Sequence, residues 1–101
     1  MTTYCVILSD DALFDIQDVI SHIENLLYAP ITAINFSRGI YDRVAKLENS
    51  ADMYAISSYQ DVLRYGDNAR HIAYKGFIII YTIHGHYVLV HRVVHGSLIT
   101  K

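Results

Sequence analysis

A chain of 101 residues with 52% hydrophobic and 18% charged residues has the composition of one globular domain, which excludes a disordered or fibrous protein. The single cysteine excludes an internal disulfide framework, and no apolar run approaches the roughly 20 residues that a membrane-spanning helix needs. The formal net charge of −2 is unevenly distributed, because residues 1–37 carry five acids and no lysine or arginine, whereas residues 68–101 carry no acid, four lysines or arginines and five of the six histidines. We therefore expect an anionic partner for the C-terminal part, unless the two ends of the chain attract each other.

The first residues favour a cytoplasmic location without a membrane partner. Met1 to Tyr4 contain no basic residue, and the apolar run that continues to Leu8 is too short for a secretory signal. Cys5 lies within this run and is expected to be a small buried core residue rather than a nucleophile.

The next segments predict two helices. Thr3 to Leu8 is β-branched and apolar and predicts a first strand, after which Ser9 provides an N-cap. Apolar residues then recur at helical spacing in two stretches, Ala12, Ile16, Val19, Ile20, Ile23 and Leu27, followed by Ala33, Phe36, Ile40, Val44 and Leu47. Pro30 fits the first turn of the second helix, and Gly39 inside that helix indicates a close approach to the first one. The short link between the helices predicts an antiparallel hairpin.

Strand-like segments fill the last third of the chain. Residues 49–67 have weak periodicity and end in a turn signal, so a short helix or strand is expected near residues 59–64. The β-rich segments ARHIAY, FIIIYTI and YVLVHRVV are separated by YKG and HGH in hairpin-like positions. The order predicts one α+β domain over residues 1–101, with an N-terminal strand and an antiparallel helical hairpin packed on a small, mainly antiparallel sheet.

The last strand carries several side chains that could do chemistry. Alternation predicts a face toward the helices, with Val88, Val90, Arg92 and Val94, and an open face, with Tyr87, Leu89, His91, Val93 and His95. Arg92 on the apolar face would need a carboxylate partner or would have to reach around the sheet edge. His84 and His86 flank a turn glycine without a cysteine or carboxylate nearby in sequence, so no metal site and no cofactor is predicted.

This order of elements, together with three local strings, resembles the RelE/ParE superfamily of toxins from type II toxin–antitoxin modules. The strings are SDDALFDIQDVISHI at the first helix, ARHIAYKGFIIIYTI across the middle strands and VHRVVHG at the end. In the second string, the positions of the family pattern are occupied by Arg70, Gly76, Phe77 and Tyr81. The resemblance covers nearly the whole chain. It implies the family's α+β fold and a cognate antitoxin as partner in a hetero-oligomer.

Departures from the pattern distinguish the branches of this superfamily. RelE-like members cut messenger RNA on the ribosome with a sheet face rich in arginine and lysine. Ile78 stands where an arginine often follows the aromatic residue, and Ser97 and Leu98 stand where many members have two arginines. RNA cleavage needs cations for the developing phosphate charge, and a net charge of −2 does not favour docking on ribosomal RNA. The resemblance therefore implies the ParE-like branch of plasmid stabilisation proteins, whose members bind DNA gyrase without nuclease activity.

The sequence leaves three functions open, of which the ParE-like toxin is favoured. For that function the expected contacts to the antitoxin or the target are His91, His95, Arg70, Lys75 and Tyr81. In the RelE-like alternative, with the ribosome and messenger RNA as partners, His95 is the acid or base and Arg70, Lys75 and Arg92 stabilise phosphate charge. The third possibility is a non-toxic interaction module of the same fold. By resemblance the antitoxin is an extended or helical segment laid over the hairpin and sheet, and an acidic segment would complement a basic sheet.

Overall fold

The chain begins with a short strand and a capped helix, as the sequence predicts. The computed structural model describes residues 3–99. Strand β1 covers Cys5–Leu8 and helix α1 covers Asp10–Ser21. The hydroxyl oxygen of Ser9 accepts a hydrogen bond from the Ala12 backbone N–H at 3.0 Å, and the hydroxyl donates to the His91 carbonyl oxygen at 2.8 Å. This cap therefore also ties the start of α1 to the last strand.

The two helices form the predicted hairpin. Helix α1 continues into a π-helical turn at His22–Leu26, and α2 covers Pro30–Ala45 with Pro30 in its first turn. The predicted apolar faces are buried at Ala12, Ile16, Ala33, Phe36, Ile40 and Val44. Leu27, predicted on the same face, is instead 59% exposed, because the π-helical turn changes the angular spacing of the side chains.

Residues 3–99 contain a four-stranded sheet that packs against this hairpin. Its other strands are β2 at Arg70–Tyr74, β3 at Phe77–His84 and β4 at Tyr87–His95, in the spatial order β1-β4-β3-β2. Strand β1 pairs in parallel with the first half of β4, and the other two pairs are antiparallel. The predicted α+β fold with a mainly antiparallel sheet is confirmed. Cys5, however, is exposed rather than buried, because β1 lies at the edge of the sheet.

The main core lies between the hairpin and the sheet. Helical side chains such as Ile16, Phe36 and Ile40 pack there against one face of the sheet. The sheet contributes Ile72, Ile79, Tyr81, Val88, Val90 and Val93. Full burial of one large aliphatic or aromatic side chain stabilises a fold by about 1.5–3 kcal/mol, so this layer holds the two helices on the sheet.

The segment between the hairpin and β2 passes from one face of the sheet to the other. It contains helix α3 at Leu47–Ser50, a 3₁₀ turn at Ala51–Met53 and helix α4 at Gln60–Leu63. Helix α4 confirms the short element expected near residues 59–64. Its Val62 packs with Ala69 and Ile80 on the face opposite the hairpin. That face is therefore partly covered, and the prediction that it is open is wrong in this part.

A β-bulge in β4 changes which side chains face the hairpin. The register to β3 shifts between Ile80, which lies opposite Arg92, and Tyr81, which lies opposite Val90, so His91 is the extra residue. Beyond the bulge Val93 joins the main core, while Val94 packs with Ile80 on the other face. The predicted faces are therefore correct before His91 and wrong after it, since strict alternation holds only in a strand without a bulge.

Gly39 permits a close approach, but to the sheet rather than to the first helix. A Cβ atom added at Gly39 would lie 1.7 Å from the hydroxyl oxygen of Tyr74 at the end of β2. The Tyr74 ring is held in place by Phe36, whose ring centroid lies 5.5 Å away. The prediction that Gly39 permits a close approach is therefore correct, but the prediction that the first helix makes this approach is wrong.

We expect Gly39→Ala to destabilise the protein by about 1–3 kcal/mol, because the steric overlap with Tyr74 outweighs the helix propensity gained by alanine. Urea denaturation would measure the free energy of unfolding. The matched experiment repeats the substitution in a Tyr74→Val background, where it should become neutral or stabilising. An equal loss in both backgrounds would contradict the assignment of Tyr74 as the obstacle.

Candidate partner-binding surfaces

Two of the three candidate catalytic residues, Arg70 and His95, lie far apart along the sheet, and the third, Arg92, is paired with Asp15. Along β3, Arg70 pairs with Tyr81 and His95 pairs with Phe77, four residues apart. At about 3.3 Å per residue this separates the two positions by roughly 13 Å along the strand. The arrangement therefore does not bring His95 and Arg70 to one phosphate group.

Arg70 is held inside the protein by backbone acceptors. Its Nη1 donates to the carbonyl oxygens of Tyr54 and Asp52, the latter at 3.1 Å, and its buried Nε lacks a hydrogen-bond partner within residues 3–99. The guanidinium thus fastens the 3₁₀ turn at Ala51–Met53 to β2. The observed contacts of Arg70 are structural.

Arg92 forms a two-pronged ion pair with Asp15 of α1. The Arg92 Nε and Nη2 atoms lie 2.7 Å and 2.9 Å from the two carboxylate oxygens of Asp15, which also accepts a hydrogen bond from the Val93 backbone N–H at 2.9 Å. This hydrogen bonding raises the pKa of Arg92. Arg92 has a carboxylate partner although it does not lie on the hairpin face of β4, and its guanidinium is engaged in the fold.

Tyr81 is completely buried and cannot contact a partner in this conformation. Its hydroxyl donates to the Ala51 carbonyl oxygen at 2.7 Å, and burial raises the pKa of the phenol. Tyr81 and Arg70 therefore hold the same turn from β3 and β2. The family positions that they occupy serve the fold here.

His91 belongs to a polar cluster on the face opposite the hairpin. The Oγ1 atom of the buried Thr82 lies 2.8 Å from His91 Nε2 and 2.5 Å from His84 Nε2. The His91 ring packs against Tyr65, and the His84 ring stacks on Tyr87. Burial and, to a smaller extent, the neighbouring His84 lower the pKa of His91.

His95 and Lys75 lie at the opposite end of the sheet. His95 Nδ1 accepts a hydrogen bond from the Ser97 backbone N–H at 3.2 Å, and its exposed ring forms a T-shaped contact with the Phe77 ring. A Cβ atom added at Gly76, next to Lys75, would lie 3.7 Å from His95 Nε2. Of the five predicted contact residues, these two alone are exposed, as the burial of residues 3–99 shows.

The burial of His71 predicts a specific pH dependence of stability. Burial lowers its pKa below the ordinary 6.5. On acidification the unfolded chain therefore takes up a proton before the folded protein does. We expect stability to be complete above about pH 6.5 and to fall toward the lower pKa of the folded state, by at most about 1.4 kcal/mol per pH unit. Urea denaturation between about pH 7.5 and pH 5 would measure how the free energy of unfolding changes with pH, because this range spans the ordinary histidine pKa.

The matched variants separate His71 from the other histidines. His71→Asn should flatten part of the slope, whereas His22→Asn, at an exposed position on the hairpin, should leave it unchanged. Identical slopes in the two variants would contradict the role of His71.

An exposed apolar feature at the link between the two helices was not predicted from the sequence. Its members, named here the hairpin-tip surface, are between 47% and 86% exposed and comprise Leu26, Leu27, Tyr28, Ile31 and Ile34. Tyr28 has a φ angle of 50°, an unfavourable conformation for a bulky residue that turns the chain between the helices. The run LLYAPI, with its apolar residues at the link between two helices, is the sequence signal that could have revealed this surface.

A groove of about 520 Å³ lies between β1 and α2. Val6 and Leu8 of the strand and Tyr41 and Val44 of the helix line it, together with the carboxylate-bearing Glu48. Because β1 is an edge strand, the groove adjoins backbone groups that a further strand could pair with.

Residues 3–99 contain no group of three or more His, Cys, Asp or Glu side chains arranged to hold a metal ion. In the same part of the chain no helix is long and apolar enough to cross a membrane.

Comparisons with known proteins agree with the fold. A protein-family model described as "ParE toxin of type II toxin-antitoxin system, parDE" matches residues 6–99. A solved structure of the chromosomal ParDE toxin–antitoxin system from P. aeruginosa is similar with a TM-score of 0.77 and 16% sequence identity, covering 92% of this chain and 96% of that chain. No curated protein sequence matches the chain significantly.

Proposed function

Because this chain belongs to the ParE toxin family of type II toxin–antitoxin systems, we propose that it poisons a cellular target by binding, with DNA gyrase as the leading candidate, and that a cognate antitoxin neutralises it. The hairpin-tip surface is the observation that carries the binding mechanism. Contiguous exposed apolar residues on a soluble domain are typical of protein–protein contacts, and large side chains such as Tyr28 supply much of the energy at such contacts.

The charge around the hairpin indicates what kind of target surface fits. Asp11, Asp18 and Glu24 are exposed on α1 and the π-helical turn, which contain no lysine or arginine, whereas α2 carries the exposed Arg38 near Glu24. A target surface that combines apolar side chains with positive charge would complement both properties. We therefore propose the hairpin, rather than the basic end of the sheet, as the target-binding element.

The groove between β1 and α2 supports the proposed antitoxin partner. An extended antitoxin segment could pair with the free edge of β1 and place apolar side chains between Val6 and Tyr41. Such a segment would lie over both the hairpin and the sheet. Glu48 at this groove favours a neutral or basic antitoxin segment here, in contrast to the acidic segment expected for a basic sheet.

The nuclease alternative is less well supported by the observed contacts. Phosphoryl-transfer chemistry needs cations that are free to stabilise charge, but the guanidinium groups of Arg70 and Arg92 are engaged by backbone carbonyls and by Asp15. Lys75 is next in sequence to Gly76, which lies near His95, but its ammonium group lies over the Tyr74 ring. We therefore favour binding over catalysis.

Controlled expression of the full chain tests this function. We expect growth arrest with intact messenger RNA, inhibited gyrase supercoiling in extracts, and recovery when the antitoxin is co-expressed. Cleaved messages with normal supercoiling would overturn the proposal in favour of the nuclease. Normal growth with neither effect would instead indicate a non-toxic interaction module of the same fold.

A further inference from the structure

His84 and His91 direct the same ring nitrogen toward one point. Both Nε2 atoms lie within 2.8 Å of the Thr82 Oγ1 atom, although His84 is near the end of β3 and His91 is in β4. The β-bulge produces this convergence, since His91 is the extra residue that it inserts opposite β3. The pair therefore depends on the paired strands rather than on a mobile loop.

Neighbouring aromatic rings hold both imidazoles in place. His84 stacks on Tyr87 with a centroid distance of 5.2 Å, and His91 packs on Tyr65 at 5.3 Å. Thr82 beneath them is fully buried, whereas His84 is exposed and leaves the cluster accessible from solvent. Ring orientation fixed in this way reduces the cost of ordering the two side chains around a ligand.

The Thr82 hydroxyl satisfies both nitrogens only when the two imidazoles hold opposite tautomers. It carries one hydrogen, so it can donate to one Nε2 atom, and the other imidazole must carry its own proton on Nε2 to form a hydrogen bond. A cation with vacant orbitals would instead accept a lone pair from each nitrogen at once. Imidazole nitrogens are favourable ligands for Zn²⁺, Ni²⁺ and Cu²⁺.

We propose that His84 and His91 bind a divalent transition-metal ion, of which Zn²⁺ is the probe, through their Nε2 atoms. Two protein ligands leave the remaining coordination positions to water, so the site is more open than a structural zinc site with four protein ligands. A bound ion would join β3 to β4 on the face opposite the hairpin. This site is independent of the proposed target and antitoxin surfaces.

Calorimetric titration of the purified full chain with Zn²⁺ near pH 7.5, about one unit above the ordinary histidine pKa, tests this site. We expect one saturable site, and His84→Ala or His91→Ala should each weaken its affinity by about tenfold or more. His22→Ala, which removes an exposed histidine on the hairpin, is the matched control and should not change the titration. The absence of saturable binding, or equal binding in all variants, would overturn the proposal.

A second measurement covers the case in which His91→Ala disturbs the fold. In the unaltered protein labelled with ¹⁵N at histidine, Zn²⁺ should shift the Nε2 resonances of His84 and His91 together, in proportion to site occupancy. His86→Ala tests whether the ion binds at the Gly85 turn instead. Loss of binding in His86→Ala, with retention in a folded His91 variant, would overturn the assignment of these ligands.

Discussion

Polar replacement of three hairpin-tip residues, Leu27→Ser, Tyr28→Asn and Ile31→Ser, is expected to abolish growth arrest and to weaken target binding by at least about 100-fold. Central interface residues often contribute 2 kcal/mol or more each, which corresponds to about 30-fold in affinity for a single residue. Asparagine is chosen for Tyr28 because it tolerates the positive φ angle of that position.

The same replacement should barely affect the fold. Leu27, Tyr28 and Ile31 are 59%, 86% and 70% exposed, so the loss of their side chains removes little buried area. Surface substitutions of this kind usually change the free energy of unfolding by less than about 0.5 kcal/mol each. Growth assays measure toxicity, supercoiling assays measure inhibition of the target, and urea denaturation measures the free energy of unfolding.

Met53→Ser is the matched control for this experiment. Met53 is 77% exposed, but it lies on the 3₁₀ turn after α3 rather than on the hairpin. We expect full toxicity in this variant. Full toxicity in the triple variant as well would show that the hairpin tip does not bind the target.

Asp15→Ala is expected to destabilise the protein by about 2–3 kcal/mol. The substitution removes three charge-assisted hydrogen bonds, two from Arg92 and one from the Val93 backbone N–H. Hydrogen bonds to charged groups contribute about 1.5–3 kcal/mol, and the partial exposure of Arg92 lets water compensate for part of the loss.

Asp18→Ala provides the comparison, because Asp18 is an exposed carboxylate on the same helix. Its effect should remain within about 0.5 kcal/mol in the same urea denaturation experiment. If the two variants had equal midpoints, the ion pair would not stabilise the fold in solution.

The features that the sequence predicts well depend on residues that are close together in sequence. The helical spacing of Ile16, Phe36 and Ile40, the Ser9 cap and the position of Pro30 are local properties, and all of them appear in the structure. The order of the elements predicts that the helical hairpin packs on the sheet, and the family resemblance implies the same fold. Local patterns and one overall resemblance were thus sufficient for the fold.

The candidate site was less predictable because it depends on pairing between distant residues. The extra residue in β4 is defined only by its register to β3, so alternation along the strand could not reveal that Arg92 and Val93 exchange faces. Similarly, a carboxylate partner was one of two alternatives for Arg92, and nothing in the sequence selected Asp15, which is 77 residues away. Arg70 and Tyr81 matched a family pattern whose role here is to hold the Ala51–Met53 turn.

The short length of β1 has a consequence for self-association. With four residues, β1 covers only Tyr87 to Val90 of the nine-residue β4, so the second half of β4 would present a bare edge. The Asp15 carboxylate lies at this edge and accepts a hydrogen bond from the Val93 N–H. An inward-directed charge is a means by which β-proteins prevent edge-to-edge aggregation. The helix that completes the core therefore also keeps the sheet from growing into a neighbouring molecule.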